Sequence, residues 1–254
     1  MPKPGNYRAG IPCWVVLSTP DTARAQAFYG ALFDWKFVPT GPTEAVATRY
    51  GAQVAALERA RPADPTAAWT TFLACPDPLR TTAAVRAGGG RPVRGPYEVP
   101  EQGRAVLAVD PLGARFGLWQ AGTIDGAGLV DEPGALAWNE HLSPDPDAAR
   151  AFYRRVFGYT YDRPRAGHTL ARVAGHPACS IGPATPGTGA AARWLAHFAT
   201  EDTDRTTERL RTLGGAVLAG PAPAPFGRTA LVRDDAGAEF ALVAVPARGS
   251  AAAA

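Results

Sequence analysis

PCWVVLSTPDTARAQAFYGALFDWKF, from Pro12 to Phe37, is written a second time as LAWNEHLSPDPDAARAFYRRVFGYTY, from Leu136 to Tyr161. Trp14, Asp21, Ala27, Phe28, Tyr29 and Phe33 fall on Trp138, Asp145, Ala151, Phe152, Tyr153 and Phe157 at one offset, 138 − 14 = 124. The same register carries GRAVLAVDPLGARFGLW (Gly103 to Trp119) onto GRTALVRDDAGAEFALV (Gly227 to Val243), so the duplication runs nearly end to end. The boundary falls in QAGTIDGAGLVDEPG (Gln120 to Gly134), which is rich in glycine and acid and has no apolar period. The expected division is a first unit at 8–121, a linker at 122–134, a second unit at 135–246 and a disordered tail at 247–254. A chain of 254 residues holds two domains of that size, each with a core.

Within each unit the pattern divides again. Four times an apolar strand-like run ends at an aspartate (Asp21, Asp77, Asp145, Asp202) and a helix pattern follows, closed by glycine or aspartate. An aspartate accepts the free amides of a first helical turn and favours its positive end, so these four are expected N-caps. Pro78 and Pro146 stand at the first helical position, where no amide is missed. Gly88 to Gly90, Gly158 and Gly214 to Gly215 are expected helix stops. Short alternating runs such as Glu44 to Glu58 and His168 to Gly182 read as hairpins, and the proline-rich stretches Gly182 to Ala191 and Gly220 to Gly227 read as loops. Strand, helix and two or three strands, repeated four times, predict an α+β fold with helices on one face of mostly antiparallel sheets.

Composition excludes several classes. A net charge of +3 with interspersed signs does not make a nucleic-acid surface. No leader and no long apolar run suggest secretion or a membrane span. Three cysteines (Cys13, Cys75, Cys179), each within an apolar run and without metal spacing, are expected as buried thiols of a cytoplasmic protein. No glycine-rich phosphate loop, serine elbow or CxxC is present; the triple glycine at Gly88 to Gly90 follows a helix rather than opening one.

STPDTARAQAFYGALFDW, SPDPDAARAFYRRVFGY and the strands ending in DPLGARFGLW and DDAGAEFALV resemble the vicinal oxygen chelate superfamily, which includes glyoxalase I, extradiol dioxygenases and bleomycin-resistance proteins. More narrowly, the chain looks like tandem actinobacterial members with PCW in the first unit and WNE in the second, often labelled hydroxylases, a label that implies no established reaction. The resemblance implies four βαβββ modules, paired so that their sheets curl into cups. It also implies recurrent metal-ligand sites, the first seven residues ahead of each capping aspartate: here Trp14, Thr70, Trp138 and Leu195. The carboxylate site of the last strand matches Gly117 and Ala241, and the hairpin-strand site Ala56 and Cys179. A divalent cation needs several N, O or S donors, so the residues imply that metal and cofactor are absent from both units. Glu58 is a leftover carboxylate on the same strand face as Ala56.

Alternation of side chains along a strand sends residues two apart to one face. The expected cup walls are Trp14, Val16, Ser18, Thr70 and Phe72 in the first unit and Trp138, Glu140, Leu142, Leu195 and His197 in the second. The first cup is apolar and aromatic; the second adds a carboxylate and an imidazole. Glu140 and His197 are the candidate catalytic pair, since such groups in a concave apolar site can shuttle a proton without metal. Trp14, Val16, Thr70, Phe72, Trp138, Leu142 and Leu195 are the candidate ligand-binding residues, the tryptophans offering flat stacking surfaces. The bland reading has Glu140 capping a loop or pairing with an arginine, His197 bounding the core, His141 a packed or rim residue, and His168 and His176 exposed beside a hairpin turn.

Two functions follow for an apolar or aromatic, natural-product-like partner: a cofactor-independent enzyme (isomerisation, cyclisation or elimination), or a drug-sequestering protein of bleomycin-resistance type. A metal-dependent glyoxalase- or dioxygenase-like enzyme is the third. Neither nucleic acid nor membrane is an expected partner, and monomer and homodimer both stay open, as does whether a cup forms within one unit or between two.

Overall fold

The computed structural model describes residues 5, 7–61, 67–165, 167–184, 191–224 and 227–245. The first repeat runs β1 (Pro12–Thr19), α1 (Thr22–Phe33), β2 (Lys36–Pro39), β3 (Ala45–Arg49), β4 (Ala52–Arg59), β5 (Ala68–Ala74), α2 (Pro78–Ala87), β6 (Arg91–Val99), β7 (Gly103–Val109) and β8 (Arg115–Ala121). The second repeats that order as β9 (Leu136–Ser143), α3 (Pro146–Phe157), β10 (Thr160–Tyr161), β11 (Thr169–Val173), β12 (His176–Pro183), β13 (Arg193–Thr200), α4 (Thr203–Thr212), β14 (Ala216–Ala224), β15 (Gly227–Arg233) and β16 (Glu239–Ala244).

Each repeat makes one eight-stranded sheet, in the orders β2-β3-β4-β1-β5-β8-β7-β6 and β10-β11-β12-β9-β13-β16-β15-β14. The sheets are mixed. The first strand of each module pairs parallel with its last (β1 with β4, β5 with β8, β9 with β12, β13 with β16), while the hairpins are antiparallel. The helix crossing between a module's first and later strands permits that parallel return.

The four expected caps form. Asp21, Asp77, Asp145 and Asp202 accept the amides of Arg24, Arg80, Ala148 and Arg205 at 3.0, 2.9, 3.0 and 3.0 Å. The first and third helices end on left-handed residues, Asp34 (φ 57°) and Gly158 (φ 71°).

One expected loop is a strand instead: β14 extends through Gly220 to Ala224, pairing Ala222 with Thr229 and Ala224 with Gly227. It is the last strand of its sheet, where a proline's missing amide costs no ladder bond. Residues 225–226 and the tail beyond 245 lie outside the described residues, as does most of the Gly182 to Ala191 stretch, whose first two residues end β12. The linker carries buried anchors, Ile124, Ala127 and Val130, with the Trp119 indole donating to the Ile124 carbonyl at 2.8 Å.

By compactness the chain forms two units, each combining modules of both repeats. One comprises Met1–Trp14, Thr70–Gly126 and Asn139–Leu195. Its core gathers Leu73, Val85, Phe116, Phe152, Tyr153 and Trp194. Gly88 and Gly90, beyond stopping α2, let the Phe152 ring close in: a Cβ at either would stand 3.0 or 3.1 Å from it. The other unit comprises Val15–Trp69, Ala127–Trp138 and Ala196–Ala254, with Tyr29, Phe33, Trp35, Trp69, Phe198 and Phe240 packed ring against ring.

The same polar network lies in both cores. In one, the Asp110 carboxylate accepts the amides of Leu112 and Ala114 (both 2.9 Å) and the Tyr153 hydroxyl (3.2 Å), and the Trp194 indole donates to the Tyr153 oxygen (2.8 Å). In the other, Asp234 accepts the amides of Ala236 and Ala238 (2.9 and 2.8 Å) and the Tyr29 hydroxyl (2.9 Å), and Trp69 donates to Tyr29 (3.0 Å). Burial holds the Asp234 carboxyl above the usual carboxylate range despite these donors.

The copies differ at one position. His141, fully buried, donates from Nε2 to Asp110 at 2.8 Å, where the first repeat has Leu17. His141 is therefore a packed residue and not a rim residue.

Tyr153→Phe leaves a buried indole and a buried carboxylate each short of a partner, and should cost about 1–3 kcal/mol. A fall in the urea midpoint without a change of slope would show this, and Tyr29→Phe should match it.

Candidate functional site

Strand β9 sorts its residues by face. Asn139, His141 and Ser143 point to the buried helix side, and Trp138 and Glu140, on the opposite face, keep partial exposure. Glu140 is directly opposite Ser180 across the parallel β9–β12 pair. Its Oε1 accepts the Ser180 hydroxyl at 2.9 Å and the Nδ1–H of His168 at 2.7 Å. The Glu140 side chain is 14% exposed and that of His168 42%, so the pair lies half in and half out of water.

His168 reaches Glu140 because Gly182 has no side chain. A Cβ there would sit 2.2 Å from His168 Nδ1 and 2.5 Å from its Cε1. At the 124-residue offset the first repeat has Val16 for Glu140, Ala56 for Ser180, Glu44 for His168 and Glu58 for Gly182. Glu44 there bonds Thr43 instead, and Glu58 lies opposite Ser18 on β1.

One expectation is extended here and one corrected. His168 is half-exposed, as expected beside a hairpin, but its ring is held, bonded to a carboxylate 28 residues away in sequence. The available sequence signal was Gly182, a strand residue losing its side chain where the other repeat keeps one. The hairpin-strand position in the second repeat is Ser180 and not Cys179. Strand alternation sends Cys179 into the core beside Tyr159, where burial pushes its thiol up.

The remaining candidates divide by exposure. Trp14, Thr70, Phe72, Leu142 and Leu195 are buried, whereas Val16, Trp138, Glu140 and His197 are partly exposed. Trp14, Thr70, Phe72, Glu140, Leu142 and Leu195 belong to the first compact unit, and Val16, Trp138 and His197 to the second. His197 lies opposite Ala241 on the parallel β13–β16 pair.

The residues at the expected ligand positions do not supply the donors that a divalent cation needs. Phe72 is the register partner of Gly117, the expected carboxylate site, and its ring would stand 2.1 Å from a Cβ there. In the second repeat the matching positions are Trp138, Leu195 and Ala241. Among the described residues no group of three His, Cys, Asp or Glu is placed to hold a metal ion.

The hydrogen bond that His168 donates to Glu140 raises the pKa of His168 against the opposing effect of burial, and the charge of Glu140 adds to it. The imidazolium therefore holds its proton to higher pH in the folded than in the unfolded chain. Stabilisation by the pair should be complete below the unfolded value of about 6.5 and fade as pH rises through the folded one. Stability measured by denaturant between pH 5 and 9 should show that decline in the wild type, and the His168→Gln variant should lack it.

Two family models match the chain: the Glyoxalase/Bleomycin resistance protein/Dioxygenase superfamily over residues 13–118 and the Glyoxalase-like domain over 139–243. A Mycobacterium tuberculosis protein named "Putative glyoxylase CFP32" is 37% identical over 256 residues, covering 96% of this chain and 98% of its own. The "Anthracycline biosynthesis protein DauV" of Streptomyces sp. is 33% identical over 258 residues, covering 93% of this chain and 94% of its own. Among solved structures, the Mn(II)-bound glyoxalase from Novosphingobium aromaticivorans superposes with a TM-score of 0.66 at 19% identity, over 94% of this chain and 83% of that one. The 2,3-dioxygenase LapB from Pseudomonas sp. KL28 gives 0.65 at 14%, over 94% and 93%. At such identities these two likenesses concern the fold.

Proposed function

Because the chain belongs to the glyoxalase/bleomycin resistance protein/dioxygenase superfamily, the vicinal oxygen chelate fold, we propose that it binds a planar, largely apolar small molecule on the Glu140 face of strand β9. There it acts by metal-independent acid–base chemistry centred on Glu140. The observation that carries this reading is the Glu140 carboxylate, partly exposed on an otherwise apolar strand face and held by Ser180 and His168. The first repeat has aliphatic residues in place of Glu140 and Ser180.

The ligand class is supported by two Streptomyces relatives, DauV and DnrV, whose names place them in anthracycline biosynthesis; a fused-ring aromatic suits Trp138 as a stacking surface. The reaction on this reading is an isomerisation, cyclisation or elimination, each of which needs a proton moved and no redox partner. Sequestration without turnover is the second reading, favoured by the superfamily's bleomycin-resistance members and by Trp138 itself.

Glu140→Gln keeps the shape of the side chain and should lower turnover by roughly 10²–10⁴ with ligand affinity nearly unchanged. A chelator should leave wild-type turnover intact. His197→Ala, assayed beside it, decides whether the second imidazole named from sequence takes part. Turnover that survives Glu140→Gln ends the catalytic reading, and binding without product in the wild type leaves sequestration.

A fused-ring aromatic ligand should quench tryptophan fluorescence. Trp138→Ala should weaken binding by about 1–3 kcal/mol if the indole makes a buried stacking contact. An unchanged Kd would remove Trp138 from the site.

A further inference from the structure

We infer that the group which moves the proton is the imidazole of His168, with Glu140 and Ser180 as its orienting partners and Gly182 as the floor that admits it, and that the substrate is a fused-ring ketone with an acidic C–H conjugated to its carbonyl. This rests on the function proposed above and relocates the proton-transferring atom.

An ionised carboxylate only accepts, so the 2.7 Å contact requires the proton on His168 Nδ1 and leaves the lone pair of the neutral ring on Nε2. Glu140 then stands to His168 as the carboxylate of a catalytic triad stands to its histidine: it fixes the tautomer and stabilises the imidazolium as it forms. Ser180, bonded to the same Oε1, limits the carboxylate's rotation. Exposure favours the same assignment, since the His168 side chain is 42% accessible and the Glu140 side chain 14%. The cradle is specific, because any residue larger than glycine at 182 occupies the space of the ring. An anionic ligand is disfavoured beside Glu140, and a neutral ketone is not.

In the step itself, Nε2 takes the proton from carbon. The C–H electron pair becomes a C–C π bond, and the carbonyl π pair moves onto oxygen to give the enolate. The imidazolium, paired with Glu140, then returns a proton to carbon. The ketone is regenerated at the same or a conjugated position, and nothing is oxidised or reduced.

Anthrone, a tricyclic ketone with an acidic methylene, is the probe, used with the full chain in anaerobic D₂O. Exchange at the methylene is followed by proton NMR and binding by tryptophan fluorescence. The wild type should accelerate exchange above buffer. His168→Gln should lower the rate by roughly 10². Gly182→Ala, which removes no functional group, should lower it by on the order of tenfold or more by displacing the ring. Both variants should still bind anthrone.

Exchange lost in Glu140→Gln but kept in His168→Gln overturns the role of His168 and leaves the proposed function standing. Binding without exchange in the wild type overturns both. If anthrone does not bind, the fused-ring ketone class is overturned. The site geometry is then tested without turnover by long-range ¹⁵N–¹H NMR of histidine-labelled protein, with His168→Gln assigning the signal. Neutral His168 should be protonated at Nδ1, and the Nε2–H tautomer would overturn the assignment. Gly182→Ala should abolish the tautomer preference.

Discussion

Two buried carboxylates fix the architecture. Asp110 and Asp234 follow the last residue of β7 and of β15. Each is out of water, an arrangement that costs several kcal/mol unless donors replace the lost hydration. Turn amides two and four residues on supply part of that replacement, a tyrosine supplies more, and for Asp110 the His141 imidazole adds a further donor. The tyrosine comes from the other repeat: Tyr153 for Asp110 and Tyr29 for Asp234. Neither carboxylate is satisfied by its own repeat alone. Each compact unit therefore draws modules from both repeats, and the aromatic rings around each tyrosine close the core that keeps the carboxylate dry.

Strand β9 ties this core to the candidate site. His141 points inward to Asp110, and its neighbour Glu140 points outward to Ser180 and His168. The strand that presents the carboxylate is thus anchored from behind by a buried charge-assisted hydrogen bond, stronger than a neutral one. The first repeat has Leu17 and Val16 at the same two positions, so both the anchor and the outward carboxylate are confined to the second. Phe72, against Gly117, takes up space in the first repeat where the superfamily's metal enzymes carry a carboxylate. In the second repeat Trp138, Leu195 and Ala241 stand at the matching positions, and the hydrogen-bonded Glu140 and His168 lie beside them rather than on them.

The sequence by itself determined the duplication, the four modules, the caps and the α+β class. These depend on local rules: a short acceptor at a helix start, a glycine or aspartate at a helix end, and a period of two in a strand. It also placed Glu140 on the open face and set the two repeats apart, because strand alternation and the offset between repeats are both countable. Which imidazole bonds the carboxylate was decided only by the tertiary structure. His168 is distant in sequence and precedes β11 on a loop whose return path depends on the empty space over Gly182. His141 was legible as an apolar position filled by a polar residue, but its partner Asp110 belongs to the other repeat, and no local pattern pairs them. The strand character of Gly220 to Ala224 was likewise set by β15, since a proline-rich run becomes a strand only where a neighbour supplies the ladder and the missing amides face outward. Local hydrogen bonding is written in neighbouring residues, whereas long-range pairing depends on which surfaces the folded modules bring together.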